Sequence, residues 1–132
     1  MTQKDKELLI KDICARLLYG VKMNHIANSD NEPTTLIGMV KNIITLEGNG
    51  GYSTANIVEF KPYLFPMSSM TEEQKKELED TLIKMNLKAL SDEINSEDIA
   101  AYEIDFYNRH HIDYRGIIPM GLAIDATGLN IY

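Results

Sequence analysis

The chain has 132 residues, 44% of them hydrophobic and 25% charged, and a formal net charge of −7. That composition excludes a disordered chain, and the length is enough to bury a core without a disulfide or structural metal. Cys14 is the one cysteine, which excludes an internal disulfide and a cysteine-rich zinc site.

The first element in chain order is a helix over about residues 4–18. Leu9, Ile10, Ile13, Cys14, Leu17 and Leu18 follow the spacing of one helical face. Thr2 and Asp5 are placed to cap its start, and Gly20 can take the left-handed conformation at its end. Lys4, Glu7, Lys11 and Asp12 fall opposite, and Cys14 is expected as a buried thiol. The start Met1–Glu7 does not read as a signal peptide, and the apolar run Leu8-Leu9-Ile10 is broken at Lys11 and Asp12. No stretch approaches the roughly 18 apolar residues of a membrane span. The expectation is a cytoplasmic protein.

From Val21 the pattern turns to β-branched runs between turn signals. Strands are predicted at 21–26, 34–40, 43–47 and from Tyr52 towards Phe60, ending near Ile57. A loop over 28–33 separates the first two, Lys41-Asn42 makes a tight turn, and Gly38 marks a bulge or bend. Gly48-Asn49-Gly50-Gly51 lacks the Lys-Ser/Thr of a phosphate-binding loop and reads as a hairpin turn. The strands form an antiparallel meander or a partial barrel.

Lys61–Gln74 reads as a joint. Pro62 and Pro66 bracket Tyr63-Leu64-Phe65 in a stiff connector, with Leu64 and Phe65 expected between the sheet and the next helix. Thr71 and Gln74 form a capping box that opens a helix over 71–90, with Leu78, Leu82, Met85 and Ala89 as its stripe and Ile83 and Leu90 beside it. Ser96 is placed to cap a last helix running to about Asn108 or His110, with Glu97 and Asp98 in its first turn. The apolar, glycine-punctuated tail from Asp113 docks on the rest. The fold class is therefore α+β in one domain, 1–132: a helix-plus-sheet half, 1–70, and a helical half, 71–132.

Charge divides the halves. Residues 1–70 hold seven Lys/Arg and seven Asp/Glu, whereas residues 71–132 hold six against thirteen, so the whole −7 lies in the second half. The densest basic pair, Lys75-Lys76, is flanked by Glu72, Glu73, Glu77 and Glu79. Direct nucleic-acid binding is not expected. An acidic half solvates the protein or meets a partner with a basic surface.

The chemically dense segment is Arg109-His110-His111-Ile112-Asp113-Tyr114-Arg115. It could supply a general base or a metal site. Adjacent histidines diverge by about 100° on a helix, however, and neither His-x-x-x-His nor Glu-x-x-His spacing occurs. The plainer reading places Arg109 and the histidines at the negative end of their helix, with Tyr114 and Arg115 anchoring the tail. His110, His111, Asp113, Tyr114 and Arg115, with Tyr63 and Phe65 of the joint, are the candidate binding residues. No catalytic residue, metal ligand or cofactor is assigned.

Three phrases carry a resemblance: Leu8–Gly20 continued by Val21-Lys22, Lys61–Gln74, and Asn108–Tyr132 with its Asp113-Tyr114-Arg115-Gly116 and Ala126–Tyr132 pieces. In them, somewhat under half of the chain resembles a group of small uncharacterised proteins from gut anaerobic bacteria and their phages or mobile elements. Those proteins have proline where this chain has Leu18, which implies a helix end nearby. The resemblance implies a cytoplasmic accessory protein, phage- or prophage-encoded, and transfers no functional residue. The sequence thus favours a non-enzymatic interaction protein. The alternative is a small enzyme or ligand-binding domain at His110, His111 and Asp113.

Overall fold

The computed structural model describes residues 1–27, 32–48 and 50–132. The fold is α+β. Helix α1 spans Gln3–Ala15, and strands β1 (Lys22–His25), β2 (Thr34–Val40), β3 (Ile43–Gly48), β4 (Gly51–Asn56) and β5 (Phe60–Pro66) follow. Helices α2 (Glu72–Leu90) and α3 (Ser96–Arg109) then lead into two short strands, β6 (Ile112–Asp113) and β7 (Ile124–Asp125).

Thr2 and Asp5 form a full capping box at the start of α1. The helix stops at Ala15 and continues as a 3₁₀ turn, Leu17–Tyr19, closed by Gly20 at φ +65°. Its buried stripe is Leu9, Asp12, Ile13 and Arg16. This is a helical spacing displaced by one residue from the purely apolar stripe expected from sequence. Cys14 is therefore exposed rather than a buried thiol, Leu18 is 88% exposed, and Asp12 lies inside rather than on the polar face. The reason is that Asp12 and Arg16, four residues apart, neutralise each other: Arg16 Nε donates to Asp12 Oδ2 at 2.9 Å.

Strands β1 to β4 form the expected antiparallel meander, and β5 returns to pair with β1, giving the order β4-β3-β2-β1-β5-β6 with β7 also on β5. The β2–β3 register shifts between Leu36 and Gly38, a bulge beside the predicted glycine. The turn at Lys41 takes φ +55°. Gly48 pairs with Gly51 across the second hairpin; Asn49 lies outside the described residues, as do positions 28–31 of the predicted loop. In a flat sheet, β4 and β5 would stand four strand spacings, about 19 Å, apart. Four Cα steps from Asn56 to Phe60 reach at most about 15 Å, so the sheet curls strongly, although β4 and β5 do not pair.

The proline-bracketed segment is not a connector. It is β5, antiparallel to β1 over Phe60–Pro62 and parallel to β7 and β6 over Tyr63–Pro66. The extended backbone that proline imposes is also that of a strand. Pro62 stands opposite Met23, and the bond from Ile26 N–H to the Glu59 carbonyl puts the ladder bonds on odd-numbered residues of this segment. The missing N–H of Pro62 therefore interrupts no bond to β1. The predicted fourth strand divides accordingly, with a 3₁₀ turn at Ile57–Glu59 between β4 and β5.

The main core joins α1, the inner sheet face and the tail through Leu9, Ile13, Met23, Ile44, Leu46, Leu64 and Ile117. A second cluster of Met70, Leu78, Phe106 and Ile112 seats α2 and α3. Leu64 is fully buried, and Phe65 is half-buried beside Thr71, Gln74 and Ile112. The capping box of Thr71 and Gln74 is complete. Of the predicted α2 stripe only Leu78 is buried; Leu82, Met85 and Ala89 are half-buried, and Ile83 and Leu90 are exposed.

The buried pair sets a stability test. Arg16→Leu leaves the buried Asp12 with only the Arg115 ion pair at 3.2 Å and should lower the unfolding free energy by about 2–4 kcal/mol. Replacing Asp12 and Arg16 together by leucine should recover much of that loss. Urea denaturation measures both, and a loss below about 1 kcal/mol for Arg16→Leu would show that the pair is solvated.

Candidate functional site

The predicted site segment lies where α3 ends and the chain reverses into β6. His110 closes the helix through its backbone N–H, and His111 takes φ +60°, a left-handed conformation that turns the chain. Phe65 N–H then donates to the His111 carbonyl at 2.8 Å, joining the segment to β5. The imidazoles separate at this turn. His110 packs on Phe106 with centroids 4.5 Å apart, and its Nδ1 lies 3.5 Å from Gln74 Nε2 on α2. His111 stacks flat on Tyr132, 3.7 Å between centroids at 11°.

Tyr132 was not singled out by the sequence, yet it completes the sheet here. Continuing the Met23↔Pro62 register sets Lys22 opposite Tyr63. In place of a direct ladder bond, the Tyr132 hydroxyl accepts from Lys22 N–H at 2.9 Å and donates to the Tyr63 carbonyl at 2.7 Å. Its ring also packs on Phe65, 5.8 Å between centroids. Burial raises the phenol pKa of Tyr132 far above its ordinary value.

Tyr114 and Arg115, with the Ile112 carbonyl, meet Asp12 and Arg16 at the C-terminal end of α1. Arg16 Nη2 donates to Asp12 Oδ1 at 3.2 Å and to the Ile112 carbonyl at 2.7 Å, fixing β6 to the helix. Arg115 Nε lies 3.2 Å from Asp12 Oδ1, an ion pair not aligned as a hydrogen bond. The Tyr114 ring lies under both guanidiniums, at 5.5 Å from Arg16 and 4.9 Å from Arg115, and stacks on Tyr107. Asp113 is buried, its two oxygens accepting from the N–H groups of Ile117 and Ile118 at 2.9 Å each. Tyr63 is buried and its phenol pKa is raised by that burial. The predicted residues thus engage different elements: His110 meets α2 and α3, Tyr114 and Arg115 meet Asp12 and Arg16, and His111, Phe65 and Asp113 meet the tail. His110, His111 and Asp113 do not converge on a common point. Asp12 and Arg16 could have been found from their i,i+4 spacing; Tyr132 carries no such signal.

Among the described residues, no group of three His, Cys, Asp or Glu could hold a metal ion, and no helix is long and apolar enough to cross a membrane. A second feature lies on α2. Met70, Leu78, Leu82 and Ile83 line an open groove of about 340 Å³, rimmed by Lys75, Glu79 and Asn86. The exposed Glu72, Glu73, Glu77, Glu79 and Asp80 crowd the first half of the same helix. No protein-family model, curated protein or solved structure matches the chain.

Burial, the nearby Arg16 cation and then His110 push the His111 pKa from 6.5 down to about 4. Below pH 6.5 the unfolded chain therefore binds a proton that the folded protein refuses. Stability from this residue should fall as pH drops from 6.5 towards 4 and be flat above. Allowing for partial exposure of the ring, the loss is about 1–2 kcal/mol. His111→Asn tolerates the positive φ and should reduce the dependence of unfolding free energy on pH in this window; an unchanged slope would place the titration elsewhere. Tyr132→Phe, by leaving the Lys22 N–H and Tyr63 carbonyl without their bridge, should destabilise by about 1–3 kcal/mol in denaturant melts. A neutral result would show that the two groups find each other directly.

Proposed function

We propose that the protein is a non-enzymatic cytoplasmic interaction protein that engages a basic partner through α2. The observation that carries this reading is the coincidence on one helix of an apolar groove and a net-acidic first half, in which five exposed carboxylates over 72–80 outnumber Lys75 and Lys76. The groove walls Leu78, Leu82 and Ile83 offer apolar area, while Glu72, Glu73, Glu77, Glu79 and Asp80 offer charge. A partner of matching chemistry presents an apolar ridge flanked by lysine or arginine. Charge of this kind steers encounter and selects the partner, and the groove supplies contact area. The sequence resemblance to proteins of gut anaerobes and their phages supports an accessory role in that setting. The separation of His110 from His111, and the engagement of Asp113 by two backbone N–H groups, favour this reading over a small enzyme centred on those residues.

The test uses the protein as bait in lysate of its native host and then the purified partner. Capture should fall as salt rises, because attraction between exposed charges is screened beyond about 8–10 Å at physiological ionic strength. Reversing Glu72, Glu73, Glu77 and Glu79 to Lys should weaken capture with the fold intact by circular dichroism, and Ile83→Asp should do the same through the groove. His110→Ala should leave capture nearly unchanged. Binding that ignores salt and all the α2 variants, or an activity lost with the histidine, would overturn the proposal.

A further inference from the structure

At β4, the outer edge of the sheet, no further strand pairs among the described residues. Exposed edge strands are usually blunted by a lysine, a proline or a bulge, because their free N–H and C=O groups pair readily with another chain. β4 reads Gly51-Tyr52-Ser53-Thr54-Ala55-Asn56, without charge or proline, and pairs with β3 in uninterrupted register. The bond from Ile57 N–H to the Asn42 carbonyl, 2.8 Å, extends the Ile43↔Asn56 register by one pair. It fixes the ladder bonds to β3 on Gly51, Ser53 and Ala55, since bonding alternates along an antiparallel pair. The backbone groups of Tyr52, Thr54 and Asn56 therefore point away from β3, and among the described residues no other strand pairs with them.

We infer that β4 pairs antiparallel with β4 of a second copy of this chain, about a two-fold axis at Thr54. In that register Thr54 faces Thr54 and exchanges both hydrogen bonds, while Tyr52 of each copy faces Asn56 of the other. Every outward backbone group of the strand then has a partner. The second copy is selected because an isologous contact must complement itself. An uncharged strand brings no like charges together at the axis. Reading across the outer face, Val40, Ile43 and Asn56 of one copy lie in a row with Tyr52, Glu47 and Thr35 of the other. Val40, Ile43 and Tyr52 are 73%, 45% and 74% exposed in the single chain, and pairing puts them on the same face of the joined sheet, with Asn56 between Ile43 and the Tyr52 of the other copy. The contact leaves α2 free and is independent of the partner proposed for that helix.

Sedimentation equilibrium from low to high micromolar protein tests the pairing. The expected result is a mass that rises towards twice that of the chain. Thr54→Pro removes an outward N–H and none of the bonds to β3, and should weaken self-association by at least about tenfold. Tyr52→Lys puts a charge on the strand and should act in the same direction. Hydrogen exchange on the unaltered protein gives a readout that does not depend on how the variants fold. The amides of Tyr52 and Thr54 should slow as concentration rises, while that of Ser53, already bonded to β3, should not change. The mass of a single chain at every concentration overturns the inference and leaves the edge to a strand from a different protein. A dimer in which the Tyr52 and Thr54 amides stay fast also overturns it, because the contact then lies elsewhere.

Discussion

The buried Asp12–Arg16 pair is the constraint around which the two ends of the chain are organised. A charge cannot be left alone in a core, so each partner commits the other, and further partners gather around the pair, although Arg16 Nη1 has no hydrogen-bond partner. Arg16 reaches the Ile112 carbonyl, and Asp12 draws in Arg115. Tyr114 lies against both guanidiniums. An apolar stripe would let α1 slide or rotate on the sheet at small cost. A directed bond from the buried Arg16 guanidinium to a strand 96 residues away in sequence favours one rotation and one depth. The same positive charge, together with burial, keeps His111 neutral and able to lie flat on Tyr132.

Strand β5 shows how one segment can satisfy two kinds of neighbour. Its first half completes an antiparallel sheet made of local hairpins, and its second half takes parallel partners delivered by the helical half. Both prolines fall where the strand has little use for an N–H. The segment thus carries the core from the sheet into the helices without a loop, with Leu64 buried in the main cluster and Phe65 turned towards α2.

Most of the architecture was legible because local signals agree with the final packing. The capping boxes at Thr2 and Thr71 mark helix starts that tertiary structure leaves unchanged. Strand β2 runs over the predicted residues because its β-branched run is bounded by a proline and a tight turn. The errors share a different cause. The burial of Asp12 and the exposure of Cys14 follow from a charge pair that a hydrophobic pattern scores as surface. The strand character of Phe60–Pro66 depends on partners far away in the chain, and proline counts against strands when those partners are unknown. Ile83 and Leu90 look like core on a helical wheel, yet among the described residues nothing buries them and both are exposed. For the candidate segment, composition marked a chemically dense run, whereas its contacts, His111 on Tyr132 and Asp113 on the N–H groups of Ile117 and Ile118, depend on parts of the chain that composition does not bring together.

The bridge made by Tyr132 has a kinetic side. A hydroxyl standing in for a main-chain group joins Lys22 to a residue 110 positions away, and the β1–β5 seam is whole only once that closure has occurred. Contacts of such long sequence separation form late and slow the search for the native state, whereas the hairpins of β2, β3 and β4 can form locally. The sheet is therefore expected to assemble from its β4 edge inwards, with the Tyr132 ring closing the β1–β5 seam after the hairpins have formed.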